Sequence, residues 1–234
     1  MTSSNVTITT RDGGALPAYL ATPAAPAGPV VVVLQEIFGV NANIRSIADS
    51  YARHGYIAIA PDLFWRLQAS VDLDPSDPAA RETAMGLMQR FDAVIAVEDA
   101  LAAAAHARRL PGASGKAGVV GYCLGGKLAY FLAMRDGVDA AVSYYGTGIH
   151  AALDRAATVQ APLLLHVAQD DSLCPPDAQA AIRQAFAPLT HRVAVLEHSG
   201  VGHAFARRGA PTCDPDAADH ADAATLVFFR EHLG

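Results

Sequence analysis

Apolar residues along this chain fall in short blocks whose spacing switches repeatedly between that of a strand and that of a helix. Val30–Leu34 is an unbroken run of mostly β-branched residues, the composition of a strand buried on both faces of a parallel sheet. Tyr56–Ala60 (stopped by Pro61), Gly118–Gly121, Asp139–Tyr145, Ala161–Ala168 and Arg192–Glu197 read as further short strands. Between them, Asn43–His54 is amphipathic at helical period, and Arg81–Arg109 is a long alanine-rich stretch of one or two helices. Gly126–Met134, Ala178–Phe186 and Ala221–Leu233 also read as helices. Near the start, Val6–Thr10 and Ala15–Leu20 flank Asp12-Gly13-Gly14, a hairpin signal that predicts an antiparallel edge. Pro23–Pro29 reads as a short rigid loop, and residues 66–80 as a polar, proline-containing excursion. No repeat or linker interrupts the alternation. It predicts one α/β domain over residues 1–234, with a mostly parallel central sheet and helices on both faces.

Composition narrows the class without changing the fold. The chain has 234 residues, 52% hydrophobic and 17% charged, which suits a compact enzyme and argues against disorder. A net charge of −6 with no basic stripe argues against nucleic acid or an anionic membrane as partner. No apolar stretch approaches a membrane span, and Met1–Val6 shows no secretory pattern. Three scattered cysteines, Cys123, Cys174 and Cys213, suggest no disulfide or metal framework. A reduced, cytoplasmic setting is expected.

The candidate chemistry begins at Gly118-Val-Val-Gly-Tyr-Cys-Leu-Gly-Gly126. An apolar strand enters it and a helical pattern leaves it, the layout of a nucleophile elbow with sulfur in place of the usual serine oxygen. Gly121 and Gly125, two residues either side of Cys123, suit a turn too tight for larger side chains. The first helical N–H groups can then stabilise a thiolate or an oxyanion. Standing alone, Cys123 could equally be a small buried residue. An acid and a base follow it, however. Asp171 lies just past the Ala161–Ala168 strand in a turn closed by Pro175, with Asp170 as the competing acid. His203 lies in the glycine-rich loop Gly200–Phe205 after the Arg192–Glu197 strand. Nucleophile, acid, base is the chain order of α/β hydrolases.

These segments resemble the dienelactone hydrolase family. The matching motifs are Gln35-Glu-Ile-Phe-Gly-Val-Asn41, Pro61-Asp-Leu63, Gly121-Tyr-Cys-Leu-Gly-Gly126, Tyr144-Tyr-Gly146, Asp171 with Pro175, and Gly202-His-Ala-Phe-Ala-Arg207. Together they reach across nearly the whole chain. The resemblance implies a Cys123–His203–Asp171 triad that opens an enol-lactone through a thiol ester, with no cofactor and no metal. It implies an oxyanion hole from the N–H groups of Leu124 and Ile37, and a gating carboxylate, Glu36, that can take the thiol's proton. Arg81 and Arg207 match the family's binders of the substrate carboxylate, a role suited to the bidentate guanidinium, and Arg208 could share it. Where the family carries aromatic residues after Arg81, this chain has Met85 and Met88. That departure leaves open which lactone is taken. A small-molecule substrate and a monomer are expected, in aromatic or chloroaromatic catabolism. A thiol esterase for other small carboxylated esters is the alternative, and a non-catalytic binding protein is a further one.

Overall fold

The structure is a computed structural model that describes residues 1–24 and 28–234. Of the loop expected over Pro23–Pro29, residues 25–27 lie outside the described residues. The rest divides into two compact units, Met1–Val119 and Val120–Gly234.

In the first unit, β1 (Thr2–Thr9) and β2 (Ala15–Thr22) form the expected antiparallel hairpin. Its turn is closed by the Thr10 N–H to Gly14 C=O bond, 2.9 Å. Gly13 occupies the left-handed position at φ +83°, where a side chain would be strained. The all-apolar run becomes β3 (Gly28–Leu34), parallel to β4 (Ile57–Pro61). Pro61, expected to stop that strand, is its last residue and pairs with Ala18; proline is tolerated at such an end because little ladder hydrogen bonding is lost. Helix α1 (Ala42–Arg53) is capped by Asn41, whose side chain accepts from Ile44 N–H. The Arg81–Arg109 stretch divides into α2 (Pro78–Arg90) and α3 (Ala93–Ala107). Phe91 is extended and Asp92 caps α3, so the break has a local cause. Buried alanines along α3 let it lie close against β3 and β4. Strand β5 (Ala113–Tyr122) leads out of this unit.

The second unit carries α4 (Leu124–Leu132), β6 (Ala140–Tyr144), β7 (Leu163–Ala168), α5 (Pro176–Phe186), β8 (Val193–His198) and α6 (Pro215–Leu233). Strands β6, β7 and β8 pair in parallel, and every residue of β6 and β7 is buried. Helix α6 begins six residues before the expected Ala221, because Asp214 accepts from Ala217 N–H and Pro215 takes the first turn. A kinked 3₁₀ segment, Ile149–Thr158, was not expected from the pattern. Within the first unit the strand order is β1-β2-β4-β3, with the hairpin as an antiparallel edge, and within the second it is β6-β7-β8, all parallel.

Candidate active site

One residue, Cys123, joins β5 to α4, and its backbone sits at φ +56° and ψ −112°. Such a conformation costs an L-residue about 1–3 kcal/mol and persists only when its surroundings enforce it. They do so here. The Cys123 N–H donates to Tyr144 C=O at 3.0 Å, and its C=O accepts from Lys127 and Thr147 N–H, each at 3.2 Å. The turn is also tight. A Cβ on Gly121 would lie 2.0 Å from Gly125 O, and one on Gly126 would lie 2.8 Å from Gly146 Cα. Gly121→Ala is therefore expected to destabilise by at least the roughly 3 kcal/mol that bounds ordinary substitutions. A urea titration checks it, and an unchanged midpoint would show that the turn yields cheaply. The Cys123 side chain is buried at the start of α4, whose first N–H groups, Leu124 among them, have no intrahelical acceptor.

The acid and base come from the ends of β7 and β8. Asp171 is only 3% exposed, whereas its neighbour Asp170 is exposed. Asp171 Oδ1 accepts from Leu173 N–H at 2.8 Å, and Oδ2 accepts from His203 Nδ1 at 2.7 Å. The two loops are tied together: Gln169 N–H donates to His198 C=O and Asp170 N–H to Val201 C=O, both at 2.9 Å. His203 packs edge-on against Tyr145, ring centroids 5.1 Å apart, and the next residue, Ala204, is held at φ +65°. With Nδ1 committed to Asp171, Nε2 is the reactive nitrogen. Among the described residues it makes no hydrogen bond within standard geometry. Burial lowers the proton affinity of His203, but the Asp171 hydrogen bond and the nearby Cys123 side chain outweigh it and hold the pKa up at about 10. The imidazole is thus poised to hold a proton at neutral pH.

Glu36, Ile37 and Arg81 belong to the first unit. Glu36 is buried and Ile37 half-buried in the loop after β3. That loop is braced from both ends. Gln35 Oε1 accepts from Leu63 N–H at 3.0 Å, and Asn41 Nδ2 donates to Leu73 O at 3.1 Å. Gly39 bridges to Asp72, and a Cβ there would lie 1.9 Å from Val71 O. The polar excursion over 66–80, which has no periodicity of its own, supplies the brace at the far end through Val71, Asp72 and Leu73. Arg81 lies in the first turn of α2, exposed, and donates to Pro75 O at 3.1 Å. Met85 and Met88 follow on the same helical face. In the second unit, Arg207 is buried in the base loop. Arg208 is not available to a substrate in the same way, because its Nη2 lies 2.7 Å from both Asp219 and Asp222 of α6. Among the described residues, no group of three or more His, Cys, Asp or Glu is arranged to hold a metal ion.

The model of the dienelactone hydrolase family matches residues 16–233. The chain belongs to that family. It is 36% identical over 226 residues to "Carboxymethylenebutenolidase 1" of Cupriavidus pinatubonensis, covering 97% of this chain and 96% of that one. It is 38% identical over 230 residues to "Carboxymethylenebutenolidase" of Pseudomonas putida, covering 97% and 96%. A crystal structure named for a dienelactone hydrolase of Klebsiella pneumoniae superposes with a TM-score of 0.85 at 26% identity, covering 98% of both chains. The fold is that of an α/β hydrolase, and the protein is a hydrolase.

Two features of this hydrolase were not read from its sequence. Gln179 of α5 turns its amide into the acid loop, where Nε2 donates to Gln169 O at 2.9 Å and Cys174 O at 2.7 Å. It thereby fixes the turn that carries Asp171. The second is His166, a polar residue inside the otherwise apolar β7. That interruption of the pattern was the visible signal, and its partners are described below. No described helix is long and apolar enough to cross a membrane.

Proposed function

We propose that this hydrolase opens a carboxylated enol-lactone of the dienelactone type through a thiol ester on Cys123. The observation that carries the reading is the Asp171–His203 hydrogen bond of 2.7 Å behind a cysteine held in a strained strand-to-helix turn. The names of the curated relatives support lactone as the substrate class.

In this reading Cys123 Sγ attacks the lactone carbonyl as a thiolate, its proton taken by Glu36 as substrate arrives, while His203 carries a proton of its own on Nε2. Negative charge on the carbonyl oxygen is met by the N–H groups of Leu124 and Ile37. The ring C–O bond then breaks, and His203 gives its proton to the departing enol oxygen. The enol becomes a ketone and cannot easily recapture the acyl group. Water, deprotonated by His203, adds to the thiol ester, and Cys123 leaves to give the open dicarboxylic acid. Asp171 fixes the imidazole tautomer and stabilises the imidazolium throughout. Glu36 is assigned the gate that takes the thiol's proton when substrate arrives, and Arg81 and Arg207 the substrate carboxylate. No step requires a metal or organic cofactor. The reading treats residues 1–234 as one monomeric domain acting in aromatic catabolism.

Arg207, being buried, should contribute more than the exposed Arg81. A charge-assisted contact of about 1.5–3 kcal/mol implies that Arg207→Ala raises KM for an anionic lactone roughly tenfold to a hundredfold. Arg81→Ala should raise it severalfold, and neither should move KM for a neutral ester. Equal losses on both substrates would assign the arginines to the loop rather than the ligand. A second reading, a thiol esterase for other small carboxylated esters, is favoured by Met85 and Met88 beside Arg81, because methionine adapts to irregular shapes. Steady-state kinetics on cis- and trans-dienelactone beside an ester lacking the carboxylate separates the two.

A further inference from the structure

Behind the acid and base loops lies a buried hydrogen-bonded chain that the triad chemistry does not use. His166 Nδ1 is 3.0 Å from His198 Nε2, and His166 Nε2 is 2.9 Å from Thr225 Oγ1. Thr225 Oγ1 is 2.8 Å from Tyr144 Oη, which donates to Asp222 Oδ1 at 3.0 Å. Asp222 Oδ2 accepts from Arg208 at 2.7 Å. His166, Thr225 and Tyr144 are fully or almost fully buried.

The direction of every bond follows from one end. A carboxylate can only accept, so Tyr144 spends its single proton on Asp222. Its oxygen must then accept from Thr225, whose own oxygen must accept from His166 Nε2–H. His166 Nδ1 is left as an acceptor and takes the Nε2–H of His198. All protons run one way and both tautomers are assigned.

The strand register shows what this chain holds. Tyr144 of β6 pairs with His166 of β7, and His166 pairs with Leu196 of β8, two residues before His198. The bonded side chains therefore share one face and cross three strands at their C-terminal ends. A one-residue slip would send them to the opposite face. From these ends the triad is hung. Tyr144 C=O accepts the Cys123 N–H at 3.0 Å, and His198 C=O accepts the Gln169 N–H at 2.9 Å. His166 C=O accepts the Tyr145 N–H at 2.8 Å, and the Tyr145 ring packs on His203.

We propose that His166 and Thr225 are positioning residues for the triad: with His198, Tyr144 and Asp222 they form a one-way donor chain that locks the ends of β6, β7 and β8, which carry Asp171 and His203 and hold the Cys123 N–H. The proposal rests on the triad reading above. Its test compares Thr225→Val, which removes the hydroxyl at similar shape, with Thr225→Ser, which retains it. Thr225→Val is expected to lower kcat about tenfold, short of the roughly hundredfold that a 1 Å misplacement costs, with KM within twofold. Alkylation of Cys123 by iodoacetamide should slow in parallel, and Thr225→Ser should restore both. Should Thr225→Val not fold, Asp222→Asn at the solvent end decides: it replaces the acceptor-only carboxylate by an amide that can also donate to Tyr144, so the one-way direction is no longer enforced, and it is expected to lower kcat severalfold. A folded Thr225→Val, or in its absence Asp222→Asn, with wild-type kcat and alkylation rate but a lowered Tm would overturn the proposal. Alkylation needs no substrate, so a wild-type protein inactive on lactones would sink the functional reading while leaving this readout in place.

Discussion

Cys123→Ala is expected to abolish turnover while leaving the fold intact. The backbone at this position is strained whatever the side chain, since alanine at φ +56° suffers the same Cβ crowding as cysteine. Stability should therefore change little, and the loss of rate reports the missing sulfur. One equivalent of an alkylating agent should likewise block the wild-type enzyme at Cys123. Cys123→Ser is the more discriminating variant. A hydroxyl keeps its proton far more tightly than a thiol, and a site built around a cysteine supplies no stronger base. A large fall in rate is expected, rather than exchange of one nucleophile for another. Near wild-type activity of the alanine variant in a steady-state assay would remove Cys123 from the mechanism.

His203→Asn and Asp171→Asn are each expected to lower kcat by about 10²–10⁴, with smaller changes in KM, because their contributions grow in the transition state. In Asp171→Asn the amide can still accept from Leu173 N–H, but it presents a donor to His203 Nδ1 if its nitrogen takes the Oδ2 position, and the imidazole is pushed to the wrong tautomer. Asp170→Asn, altering an exposed neighbour, should stay active; the reverse result would exchange the two acids. The same pair carries a pH signature. His203 binds its proton more tightly folded than unfolded, its pKa held up at about 10 against the ordinary histidine value of 6.5. Its stabilising contribution is therefore fully present below pH 6.5 and lost as pH rises through about 10. His203→Asn should depress Tm more at pH 6 than at pH 10.5. An equal depression at both would mean that the imidazolium is not held by Asp171 and Cys123.

Much of this architecture was legible because local signals agreed with the tertiary ones. The Val30–Leu34 run, the Asp12-Gly-Gly turn and Gly121 of the elbow each have a local cause, and each appears in the structure as read. Helix α6 starts ahead of the apolar period that marks it from Ala221: Asp214-Pro215, a cap followed by a first-turn proline, is the local signal of its true start. The 3₁₀ segment at Ile149–Thr158 has no such mark. Arg208 illustrates a different limit. Its sequence position beside Arg207 suggested a shared role, but its partners Asp219 and Asp222 lie on a helix that no spacing argument places there. The donor chain through His166 and Thr225 is of the same kind, since it depends on the register of three strands and the face of α6.

The most direct test of the central claim is the opening of dienelactone followed by its loss of absorbance, beside hydrolysis of a neutral ester of similar size. The account predicts that the wild-type enzyme turns over dienelactone with a much higher kcat/KM than the neutral ester, and that alkylation of Cys123 removes both activities together. Hydrolysis of the neutral ester with no turnover of either dienelactone isomer would contradict it.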